Sequence, residues 1–74
     1  MSQVITIRVS LHCERCRRKT MTICMTADGV NSAAFEGRDT IVMRGERVDA
    51  AAVTARLRQR VSKHAMLVSV ANDG

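Results

Sequence analysis

The stretch Val4-Ile5-Thr6-Ile7-Arg8-Val9-Ser10-Leu11-His12-Cys13-Glu14-Arg15-Cys16-Arg17-Arg18-Lys19-Thr20 changes period in its middle, and that change decides how the rest of the chain is read. From Val4 to Leu11 the residues alternate, with Ile5, Ile7, Val9 and Leu11 on one face and Thr6, Arg8 and Ser10 on the other, the pattern of a half-buried strand. From Glu14 to Ala27 the spacing becomes helical: Thr20, Ile23, Cys24 and Ala27 share one side, and Arg17, Arg18 and Thr22 the other. Asp28-Gly29 then supplies a helix stop, because glycine tolerates the left-handed backbone of a C-terminal cap. Two cysteines, Cys13 and Cys16, fall at the strand-to-helix junction.

The remainder repeats the alternation of elements. Val30–Glu36 reads as a second strand, Gly37-Arg38-Asp39 as a hairpin turn, and Thr40–Arg44 as a third strand with Ile41 and Met43 inward. Asp49 is suited to cap a helix running to about Val61, whose inner stripe takes Val53, Leu57 and either the Arg60 stem or Val61. Ala65–Ala71 gives a last strand, on which Met66/Val68/Val70 and Ala65/Leu67/Ser69 compete for the inner face. The order β-α-β-β-α-β predicts an α+β, ferredoxin-like fold: one domain over residues 1–74, a four-stranded antiparallel sheet, and both helices on one face. The second and fourth strands are then its edges.

Nearly half of the 74 residues are apolar but Phe35 is the one aromatic, so the core is expected to be thin and aliphatic. Such a chain has little from which to build the aromatic walls of a small-molecule cleft, and an enzyme is not expected. The formal charge of +5 comes from basic residues spread over Arg15–Lys19, Arg38–Arg47 and Arg56–Lys63. That spread fits a solvated surface better than a nucleic-acid tract. RNA-recognition domains share this element order but stack bases on sheet aromatics, for which Phe35 alone is inadequate. A thioredoxin-like oxidoreductase carries a proline facing its cysteines, and this chain has no proline. No apolar run approaches the ~20 residues of a membrane span, and Met1-Ser2-Gln3-Val4 lacks the pattern of a secretory signal, so an intracellular protein is expected.

Cys13 and Cys16 lie where free backbone N–H groups and the helix dipole favour an anion such as a thiolate, and Arg15, Arg17 and Arg18 are expected to depress the thiol pKa further. Soft thiolates select Cu(I) or Zn(II). Two ligands suit linear Cu(I), whereas a closed zinc site takes four. The further donors on hand are Cys24, which falls on the buried stripe and reads as core, His12, an occasional third ligand turned outward, and the less favoured His64.

The segment Leu11-His12-Cys13-Glu14-Arg15-Cys16-Arg17-Arg18-Lys19 resembles the Met-x-Cys-x-x-Cys loop of heavy-metal-associated domains, found in copper chaperones and metal-pumping ATPases. The similarity extends through Gly29-Val30-Asn31-Ser32, Ile41-Val42-Met43-Arg44-Gly45, Val48-Asp49 and Leu57-Arg58. Cys16-Arg17-Arg18-Lys19-Thr20-Met21 and Ala65-Met66-Leu67-Val68-Ser69-Val70 are most similar to the plant branch: small heavy-metal-associated plant proteins, some isoprenylated, and their relatives within plant immune receptors. The resemblance implies a non-enzymatic domain whose Cys13 and Cys16 hold Cu(I) or Zn(II), or stand empty, with Lys63 of Ser62-Lys63-His64 balancing charge near the metal. It implies a metal-transfer partner or a secreted fungal effector as protein partner, the latter on a sheet surface of Ser32, Glu36, Thr40, Val42 and Arg44, and no specific nucleic acid. It implies a cytoplasmic protein, or a nuclear or membrane-associated one where a longer chain is prenylated; Ala71-Asn72-Asp73-Gly74 carries no such signal itself. Leu11 stands where the family usually has Met, a core position. Arg15 replaces a frequent Gly and makes the loop bulkier and more positive.

Overall fold

Ile5 and Ile7 of β1 (Ser2–Arg8) are fully buried and pair across the sheet with Met43 and Ile41 of β3 (Thr40–Gly45), themselves fully buried. This computed structural model describes residues 2–11 and 13–73. Between the two strands come α1 (Glu14–Met25) and β2 (Val30–Glu36), and after them α2 (Ala50–Arg60) and β4 (Met66–Asp73). Among the described residues the strands form one antiparallel sheet in the order β2-β3-β1-β4. The fold is ferredoxin-like, with β2 and β4 at the edges as the pattern predicts.

Both helices pack on the face that carries Ile5, Ile7, Ile41 and Met43. From α1 they contribute Ile23 and Cys24, and from α2 Val53 and Leu57. Thr20 and Thr54 are buried in the same layer without polar cost, because each hydroxyl donates to the carbonyl four residues earlier, Cys16 and Ala50, both at 2.8 Å. Asp49 caps α2 as expected, its carboxylate accepting from the Ala52 N–H at 3.0 Å. The loop before it is fastened to β1 by the Val48 N–H, which donates to the Gln3 side-chain oxygen at 2.7 Å.

Several element boundaries differ from expectation by one to three residues. β1 stops at Arg8 because its partner begins at Thr40; beyond it Val9 stays buried and its N–H donates to the Asp39 carbonyl at 2.7 Å, while Leu11 is half-buried. α1 ends at Met25 rather than Ala27, where the Thr26 hydroxyl donates to the Thr22 carbonyl at 2.7 Å and competes with the next turn. In β4 the register slips between Thr6 and Ile7, so Leu67 pairs with Ile7 and Val70 with Ile5. Of the two inward sets proposed from sequence, Ala65 is buried and Leu67 packs half-buried against the core; beyond a bulge at Val68 the register brings Val70 to the helix face, where it remains 44% exposed. On α2 the inner stripe closes with Val61, and Arg60 is exposed.

At the end of the sheet away from the cysteines two backbone segments cross closely. Gly29 adopts φ 87°, and its carbonyl accepts from the Glu46 N–H at 2.9 Å. A Cβ on Gly45 would overlap the Gly29 carbonyl oxygen, and one on Gly29 the Glu46 carbonyl oxygen. Gly45→Ala is therefore expected to destabilise the domain by about 1–3 kcal/mol through forced displacement of backbone. Urea unfolding checks it, and a midpoint equal to the parent's would show the crossing to be loose.

Candidate metal centre

The loop after β1 delivers Cys13 in an extended conformation (φ −152°, ψ 160°) as the N-cap of α1. Its Sγ accepts from the Cys16 N–H at 3.2 Å, so the thiol satisfies one of the donors left free at a helix start. Cys16 follows one turn into the helix, held there by the bond from the buried Thr20 hydroxyl. The two Sγ atoms are 2.7 Å apart, a thiol–thiol hydrogen bond, with Cys13 exposed and Cys16 half-buried.

This geometry lowers the Cys13 pKa. The largest cause is the hydrogen bond from the Cys16 thiol, followed by the Cys16 N–H; the Arg15 N–H and the Arg15 charge add smaller contributions. The expectation that three flanking arginines would depress the thiol is corrected in this respect. Hydrogen bonds lead, and of the arginines Arg15 acts on Cys13. Arg17 is engaged elsewhere, its guanidinium lying over the half-buried Phe35 ring at 4.3 Å. No pattern in the sequence marks that contact, which joins α1 to β2.

Two thiolates on one ion at ~2.3 Å stand ~3.8 Å apart at a tetrahedral angle and further apart at a linear one. Binding therefore asks the sulfurs to spread from their 2.7 Å separation by about 1 Å for a tetrahedral ion and about 2 Å for a linear one. Cys13, at the exposed end of the pair, has room to rotate. A soft ion suits this donor set, since replacing the shared proton with a cation relieves the repulsion of two adjacent thiolates.

Cys24 is fully buried in the core, and burial pushes its thiol up to about 11. It is no ligand. Among the described residues no cluster of three or more His, Cys, Asp and Glu side chains could hold an ion. His12 lies outside the described residues, and His64 is exposed. Lys63 is exposed in the turn between α2 and β4, at the same end of the sheet as the cysteines. That turn is held by the Arg58 Nε, which donates to the Ala65 carbonyl at 2.8 Å, a tether that sequence spacing does not announce.

Ser32, Glu36, Thr40, Val42 and Arg44 share the open face of the sheet. The register pairs Ser32 with Arg44 and Glu36 with Thr40, while Val42 faces Ala34. Ser32, Glu36 and Arg44 are exposed, and Thr40 and Val42 half-buried.

No protein-family model matches the chain. Over 56 residues, 73% of its length, it is 41% identical to the heavy metal-associated isoprenylated plant protein 47 of Arabidopsis thaliana. The match covers 48% of that protein, so the chain spans about half the length of this curated relative. No helix among the described residues is long and apolar enough to cross a membrane.

The burial contrast predicts the thiol chemistry. With a chromogenic disulfide reagent at mildly alkaline pH, Cys13 and Cys16 should react fast and Cys24 only after denaturation. Three fast thiols in the native chain would contradict the placement of Cys24. The sign for stability follows too: above the usual 9.0 the unfolded thiol loses its proton while Cys24 keeps it to about 11. The folded state then binds more protons, and stability falls as pH rises across that window. The fall should be shallower in Cys24→Ala.

Proposed function

We propose, for a chain that belongs to the heavy-metal-associated plant proteins, that Cys13 and Cys16 hold one soft metal ion, Cu(I) in preference to Zn(II). The observation that carries this reading is the pair itself: two thiols 2.7 Å apart at the start of α1, one of them with a depressed pKa. Cu(I) is preferred on donor count, because two thiolates complete a linear site, whereas a closed zinc site requires two donors more. The name of the curated relative, which associates it with heavy metals, supports metal binding in general.

In this reading each residue has a separate task. Cys13 supplies a thiol of lowered pKa and moves outward to open the pair; Cys16, anchored in the first turn, is the fixed ligand. The helix N-terminus and Lys63 offset the negative charge of a bis-thiolate complex. Arg15 adds charge beside Cys13 and bulk to the loop, which favours holding an ion over releasing it quickly. The chain is a binding domain and not a catalyst.

A competitive titration with a chromophoric Cu(I) chelator under reducing conditions tests the assignment. The parent should take up one equivalent, and Cys13→Ser/Cys16→Ser should lose it. Lys63→Ala should weaken binding by less, up to about fivefold, as befits an exposed charge. If the double serine variant binds Cu(I) as tightly as the parent, the site is wrong.

A second reading, protein binding on the sheet, draws support from β4. This edge strand exposes Met66 and Val68 (56% and 52%), apolar side chains beside unpaired main-chain groups. With Ser32, Glu36, Thr40, Val42 and Arg44 on the open face, it offers an edge for strand addition and a mixed surface to select the partner, such as a secreted fungal effector. Charge reversal at Glu36 and Arg44 should weaken an effector pull-down at least tenfold. Unchanged capture would remove the open face from consideration.

A further inference from the structure

Two of the three basic clusters that lie apart in sequence, Arg15–Lys19 and Arg56–Lys63, converge in the fold. Arg8, the last residue of β1, pairs with Thr40 at the start of β3 and with Met66 at the start of β4. The start of α1, the 37–39 turn and the turn after α2 therefore all lie at the cysteine end of the sheet. The two helices run antiparallel, so the N-terminal half of α1, with Arg15, Arg18 and Lys19, meets the C-terminal end of α2, with Arg60 and Lys63. All five are exposed. Arg56 lines the cleft between the helices with Ile23 and Thr26, which sets the side of α2 that borders α1. Arg60, one turn further, continues along that side.

The carboxylates mostly stand off the helices: Glu36 and Asp39 sit in the β2–β3 hairpin, at the cysteine end of the sheet but not on the helical face. Asp28, Glu46 and Asp49 belong to the far end, around the Gly29–Gly45 crossing. On the helices themselves Glu14 is the one acidic residue, against three arginines and a lysine on α1 and three arginines on α2. Among the described residues none of the five cations is paired with a carboxylate. The molecule thus has a net positive helical face at the end that carries the thiols.

From this we infer that the α1/α2 face at the cysteine end is an electrostatic docking surface for an anionic lipid bilayer. Nucleic acid would meet the same charge but little else: Phe35 is the one aromatic available for stacking, and Arg17 covers it. A bilayer asks only for clustered cations on a convex surface, each worth roughly fivefold in binding near anionic headgroups. The curated relative is isoprenylated by name, and a single lipid chain holds a protein to a membrane only reversibly unless a second, basic signal assists it. This face would be that second signal, and it turns the Cys13/Cys16 pair toward the membrane. The inference does not depend on the metal reading, because the metal-free chain is the probe.

Cosedimentation of the metal-free chain with phosphatidylcholine vesicles, with and without phosphatidylserine, tests it. Binding should require phosphatidylserine and weaken as salt rises. Arg18→Glu/Arg60→Glu, a change of four charge units, should reduce binding at least ~100-fold on the fivefold scale. Arg8→Glu/Arg44→Glu makes the same change of net charge on the opposite, open face of the sheet and should stay within about fivefold of the parent. Circular dichroism confirms that each variant is folded. Equal losses in the two pairs would reduce the effect to net charge and overturn the surface. So would binding indifferent to phosphatidylserine, and tighter binding of a single-stranded oligonucleotide in the same buffer would assign the face to nucleic acid instead.

Discussion

The pairing of β1 with β3 at the centre of the sheet is the constraint from which most of this structure follows. Ile5 against Met43 and Ile7 against Ile41 place four fully buried aliphatic side chains on one face, so both helices must cover that face. Because the pair is antiparallel, the loop leaving β1 and the turn opening β3 meet at one end, and the two helices are forced to run in opposite directions. A one-residue slip here would turn every one of those side chains to solvent, which is why the register is firmly specified. The position of the thiols at one end, and of the Gly29–Gly45 crossing at the other, are consequences of this central pair.

Within that frame the cysteine site depends on local backbone more than on the surrounding charge. Cys13 caps α1 because the chain is still extended when it reaches the helix, and Cys16 falls one turn later because helical spacing brings positions three apart onto the same side. The acidity of Cys13 comes chiefly from two bonds made inside this one turn. A site of this kind is nearly prebuilt by any sequence that places two cysteines three apart at a strand-to-helix junction. The surrounding residues then tune it: Arg15 by charge, Thr20 by fixing the turn that bears Cys16, Arg58 by holding the turn that bears Lys63.

The legibility of the fold in the sequence follows the same division. Elements with a strict period were readable, because Ile5, Ile7, Ile41 and Met43 alternate and Val53 and Leu57 stand one turn apart. Cys24 was readable as core for the same reason. The last strand was not, since a bulge moves its inward set from Leu67 to Val70, and a bulge depends on the partner strand rather than on the strand's own residues. Likewise, a run of arginines gives their number but not their directions. Arg17 turns to Phe35 and Arg58 to the Ala65 carbonyl, each by a tertiary contact that lies beyond sequence spacing.

Separating the three surfaces resolves what would otherwise be competing demands on a very small domain. The open sheet face and its β4 edge keep a mixed, partly apolar character, with Val42 half-buried and Met66 and Val68 exposed. The helical face carries most of the excess positive charge, and the thiols sit between the two at one end. A protein partner on the sheet edge therefore need not displace a ligand from the thiols or compete with an anionic surface for the helices. The cost falls on the core. With helices on one side alone and a single half-buried aromatic, the domain has few large side chains left to commit, so its stability rests on close aliphatic packing and on glycines at Gly29 and Gly45, where no side chain can be accommodated.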